Sequence, residues 1–124
     1  MKIKDLFPTL EELAPLAYAE DFDNVGLLTG NANDSLTGIL ICHDALEEVV
    51  QEAVEKKCNL IVCFHPILFQ PIKKITGKNY VERAIIKAIK NDIAIYAIHT
   101  ALDNHKNGVN KIICDALGLI NTKI

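Results

Sequence analysis

At 124 residues, half of them hydrophobic and 23% charged, the chain can bury one core and is too apolar to be disordered. Its net charge of -3, with lysines and arginines scattered, gives no electrostatic reason to expect nucleic acid. No apolar run approaches the roughly 20 residues of a membrane span, and Met1-Lys2-Ile3-Lys4-Asp5 lacks a signal-peptide core. The four cysteines form no C-x-x-C pair, so they read as reduced thiols in a cytoplasmic protein.

The spacing of Leu6, Leu10 and Leu13 predicts a helix over residues 4–14, stopped by Pro15. Thr9 with Glu12 could cap it after Pro8. Residues 25–28 can form a strand after an acidic segment, and Gly26 within it implies a bulge or a close backbone approach. Residues 31–37 are turn-rich. Residues 38–42 then read as a buried strand leading to His43-Asp44. A helix over residues 46–57 follows, with Leu46, Val49, Val50, Ala53 and Val54 on one face. Asp44 stands where an N-cap residue would.

Cys58-Asn59 turns the chain into Leu60-Ile61-Val62-Cys63-Phe64, an apolar run that ends in His65-Pro66. Residues 67–72 are apolar and interrupted by proline, which predicts a loop packed near a site. A basic connection over 73–78 leads to a helix over 79–91, whose inner face is Val81, Ala84, Ile85, Ala88 and Ile89. Residues 93–98 form the second apolar run, entering His99-Thr100-Ala101-Leu102-Asp103. A loop over 104–108 and a helix over 109–117 closed by Gly118 complete the order. Repeated βα units predict a single α/β domain over 1–124, with a mostly parallel sheet flanked by helices.

In such sheets ligands collect beyond the carboxyl ends of the strands. Two strands here each deliver a histidine at their exit, His65 and His99, and Asp103 lies four residues beyond the second. Imidazole and carboxylate groups held there suit a divalent metal such as zinc, iron or manganese. Any one of these histidines taken alone reads more often as structural than as a ligand, and the three potential ligands together make the two readings even. His105, on a polar loop, reads as solvated.

Asp23-Asn24-Val25-Gly26-Leu27, the Asp44 turn, His65-Pro66-Ile67-Leu68-Phe69, and His99-Thr100-Ala101-Leu102-Asp103 with Gly108-Val109-Asn110 occur in that order. Together they resemble the N-terminal half of the NIF-three-like dinuclear metal proteins, often named GTP cyclohydrolase 1 type 2. The resemblance spans essentially all 124 residues. It implies an α/β fold around a two-metal site, homo-oligomers, and metal-dependent hydrolase activity. It also implies that His65 and Asp103 are metal ligands, Asp103 bridging two ions, with His99 beside them in support. Two departures stand out. The family usually carries two consecutive histidines before the proline, and the first is Phe64 here. The family's C-terminal half supplies a further histidine and glutamate that lie outside this sequence. The resemblance therefore implies an incomplete site with weak or no catalysis by these residues alone. If the exit of the strand over residues 38–42 adjoins the His65 strand, His43 is a candidate replacement for the missing imidazole. The alternative is a non-catalytic module that binds a protein partner or itself through residues 67–72 and the helix from Val109.

Overall fold

In a computed structural model, which describes residues 1–123, four strands form one sheet in the order β1-β4-β3-β2. The strands are β1 (Gly26–Thr29), β2 (Ile39–Asp44), β3 (Leu60–His65) and β4 (Ala94–Ala97). β2, β3 and β4 are parallel neighbours, and β1 closes the far edge antiparallel to β4. The mostly parallel α/β reading is borne out.

The helices are α1 (Phe7–Leu13), α2 (Glu47–Glu55), α3 (Tyr80–Lys90), α4 (His99–Asp103) and α5 (Val109–Ala116). The crossovers β2-α2-β3 and β3-α3-β4 step the same way across the sheet, so α2 and α3 share one face. Alternation along the strands then divides the core. Ile61, Cys63, Ile95 and Ala97 meet Val50, Ala53, Ala84, Ile85 and Ala88 of those helices. Leu60, Val62, Ala94 and Tyr96 face the other way and pack against Ile3, Phe7 and Leu10. β3 and β4 are thus covered on both sides, as their unbroken apolar runs predict.

β2 departs from expectation. Its apolar run predicts burial, yet Ile41 is 79% exposed and Ile39 39%. β2 is the sheet edge, and the N-terminal layer packs over β3 and β4 without reaching its outer face.

The local signals hold with shifts. α1 begins at Phe7, ahead of Pro8, because a proline in the first turn removes an N–H that had no partner anyway. The expected Thr9 cap is therefore not used, and a separate 3-10 turn, Ile3–Leu6, precedes the helix. At Gly26, φ is +89° and the β1–β4 register slips between Leu27 and Thr29, which is the expected irregularity. Asn79 caps α3 by accepting from Glu82 N–H at 2.9 Å. The Glu82 carboxylate answers the basic connection by accepting from Thr76 N–H, Thr76 Oγ1, Lys78 N–H and Asn79 Nδ2. Burial pushes the Cys42 thiol up to about 11 and Cys63 up to about 12, so both stay protonated thiols, free of disulfides.

Candidate metal centre

β2 and β3 run in register so that Asp44 lies opposite His65, each the last residue of its strand. This places a carboxylate and an imidazole side by side at the carboxyl end of the sheet. His65 Nδ1 lies 2.8 Å from Asp44 Oδ1, and His43 Nδ1 lies 2.9 Å from Asp44 Oδ2. An ionised carboxylate only accepts, so each imidazole donates. These two bonds hold the Asp44 carboxyl below its ordinary range. Asp44 is therefore not the helix cap expected from sequence. Leu46 takes that position for α2, without a side-chain bond.

His43, Asp44 and His65 each offer a ligand atom, all within 4.8 Å of one another. No other group of three metal-ligating side chains converges in this way among the described residues. Aromatic rings wall the cluster. His43 stacks on Phe64 with centroids 5.3 Å apart and planes 14° apart, a consequence of their neighbouring positions at the ends of β2 and β3. His65 meets His43 edge-on at 4.4 Å and His99 at 5.3 Å.

His99 opens α4, a one-turn helix that follows β4 directly and that no apolar periodicity announces in the sequence. Its Nδ1 lies 2.9 Å from Asp23 Oδ1. The Asp23 side chain has no solvent exposure. Burial pushes its carboxyl up, but bonds from His99, Thr100 Oγ1 and the N–H groups of Asn24 and Thr100 together outweigh burial and leave it lowered. Asp23 thus fixes the ring that leans on His65. Asp103 ends the same helix turn, four residues on, half-buried and outside the three-group cluster. Its carbonyl accepts from Asn110 Nδ2 at 3.2 Å. His105 lies against the Tyr18 ring at 6.2 Å.

A cleft of about 840 Å³ opens beside the cluster. Asp44, His65, Phe69, Lys73, Lys74, Lys78 and Glu82 are among the residues that line it. The apolar loop over residues 67–72 does pack near the site, as expected. Asn24 Nδ2 anchors it by donating to Leu68 C=O.

Two residues escaped sequence reasoning. Asp44 looked like a cap because it precedes a helix, and only strand register puts it against His65. Asp23 lies 76 residues from His99, and no local spacing reveals that pair.

The family model described as Duf34/NIF3 (NGG1p interacting factor 3) matches residues 1–124. The chain belongs to the NIF3 family. A GTP cyclohydrolase 1 type 2 homolog of Clostridium acetobutylicum is 42% identical, over 100% of this chain and 46% of its own length. NIF3-like protein 1 of Rattus norvegicus is 40% identical, over 99% of this chain and 33% of its own. A Bacillus cereus protein related to NIF3 has a solved structure with a TM-score of 0.89 at 40% identity, covering 100% of this chain and 34% of that one. Reduced HcgD from Methanocaldococcus jannaschii scores 0.89 at 31% identity, covering 99% of this chain and 49% of that one. The chain therefore spans a third to a half of these NIF3 relatives. The resemblance drawn from its motifs is borne out, as is the fold it implied. Among the described residues no helix is long and apolar enough to cross a membrane.

Proposed function

We propose that this NIF3 chain binds a divalent metal ion at the sheet rim and contributes to a metal-dependent hydrolase of the GTP cyclohydrolase 1 type 2 kind. The reading rests on one observation: His65 leaves β3 beside a carboxylate and lines a cleft at the carboxyl end of the sheet. His65 and Asp103 are the proposed ligands, and His99, braced by Asp23, supports His65. The imidazole and carboxylate donors suit zinc, iron or manganese. A bound ion would supply an activated water and polarise a substrate oxygen.

The chain's own groups would then select the substrate. Lys73, Lys74 and Lys78 offer positive charge along the cleft, and Phe69 offers an apolar face, which favours phosphate- or purine-type substrates. Phe64 contributes no donor, and a catalytic zinc normally keeps about three protein ligands. Hydrolysis by these residues alone should therefore be weak or absent. A cytoplasmic location accords with the reduced thiols.

Metal content by elemental analysis, with thermal denaturation in zinc, manganese or iron(II), tests the reading. A ligand of the folded state at about 100 times its Kd adds about 2.7 kcal/mol of stability. His65→Ala should abolish the rise and Asp103→Asn should reduce it. A chain that carries no metal and gains no stability from any of the three ions overturns the proposal. Rapid hydrolysis of nucleotides or phosphoesters by residues 1–124 would contradict the incomplete-site part.

A second reading has its own support. α5 buries none of its residues, and Ile112, Leu117 and Ile120 are 65%, 69% and 84% exposed. Surface of that kind favours association with a second copy of the chain. Sedimentation showing only monomer across a wide concentration range would refute it.

A further inference from the structure

We infer that His43, Asp44 and His65 together form a three-ligand site for one divalent first-row cation, with His43 and Asp44 as direct ligands. The inference rests on the metal-binding reading above and goes beyond it by naming two ligands that the reading does not need.

Three observations carry it. The ligand atoms of the three side chains converge within 4.8 Å. The two Nδ1 atoms sit 2.8 and 2.9 Å from opposite oxygens of one carboxylate. Two ligands on a tetrahedral ion with bonds of about 2.1 Å lie about 3.4 Å apart. An opening of each pair by about half an ångström, with the two Nδ1 protons moved to Nε2, would let one ion take all three ligands. The donor set, two imidazoles and one carboxylate, would leave a fourth tetrahedral position for water, and Asp44 and His65 also line the cleft.

The rings are also held in place before any ion arrives. His43 is clamped against Phe64, and His65 is braced by His43 and His99. Little ordering entropy is then left to pay at binding. The side chains are 68%, 49% and 44% exposed, so a hydrated ion reaches them from solvent. Phe64 has a part in this arrangement: it offers no donor itself, but its ring sets the plane of the imidazole beside it.

Titration calorimetry with Zn2+, and the Co2+ ligand-field spectrum, on the full chain and its variants test the assignment. His43→Ala should weaken Zn2+ at least tenfold, since even outer partners of a metal ligand are worth about 10–100-fold. Asp44→Asn should do the same, and both should alter the Co2+ spectrum. His43 is exposed, so His43→Ala should keep the wild-type far-UV dichroism; His43→Gln gives a second variant of closer size. If wild type binds Zn2+ and both His43 variants bind it equally well, the inference is overturned, while the metal reading through His65 and Asp103 stands. If wild type binds neither ion, both fall.

Discussion

Asp23 shows how much one side chain can organise. Its unexposed carboxylate accepts four hydrogen bonds, two from backbone N–H groups and two from side chains that flank the site. Asp23→Ala would strand those donors, at a cost of about 2 kcal/mol by urea denaturation. Its pKa lies below the ordinary 3.8 in the folded state. The stabilisation it gives is therefore complete above the ordinary value and lost as pH falls through the lowered one. Asp23→Asn should narrow the gap between urea midpoints at pH 7 and pH 3 relative to wild type. Tyr96 presents the opposite case. Its hydroxyl is buried without a hydrogen-bond partner among the described residues, and burial pushes it up to about 12, with Glu11 adding to the shift. Tyr96→Phe keeps the ring against Phe7 and removes the stranded group, so stability should rise by about 1 kcal/mol.

Among the elements, β2 and β3 both open on apolar runs and meet different fates. β3 is covered on both faces, whereas the outer face of β2 looks into solvent. Ile61→Ala should cost roughly 2–5 kcal/mol, the usual range for emptying a packed site. Ile41→Thr should change stability by less than about 0.5 kcal/mol, as exposed positions do. Equal losses in urea denaturation would mean that β2 is covered in solution. The α4–α5 junction is narrower still. A Cβ at Gly108 would stand 1.7 Å from the Leu102 carbonyl oxygen, so Gly108→Ala must move α5 relative to α4. A lower melting temperature should report it.

Across the whole molecule, chemistry and exposed apolar surface occupy separate places. The His–Asp cluster and the cleft lie at the carboxyl ends of β2 and β3, while the outer face of β2 and α5 carry uncovered isoleucines, continued after α5 by Leu117, Leu119 and Ile120. If self-association runs through α5, Ile112→Glu with Leu117→Glu should shift sedimentation toward monomer and leave Zn2+ affinity unchanged. A joint loss of both would place the interface at the metal cluster instead.

The α/β class, the parallel order of the central strands and the arrival of His65 and His99 at strand exits are local consequences of apolar runs, prolines and glycines in this sequence. Hydrophobic periodicity acts over a few residues, so it can be read without coordinates. The partnership of Asp44 with His65, the bond from His99 to Asp23 and the exposure of β2 depend on register and layer coverage. Those are set by packing between segments 21 and 76 residues apart, and a one-residue slip of β2 against β3 would send Asp44 to the opposite face. Tertiary structure alone decided which carboxylate met which histidine.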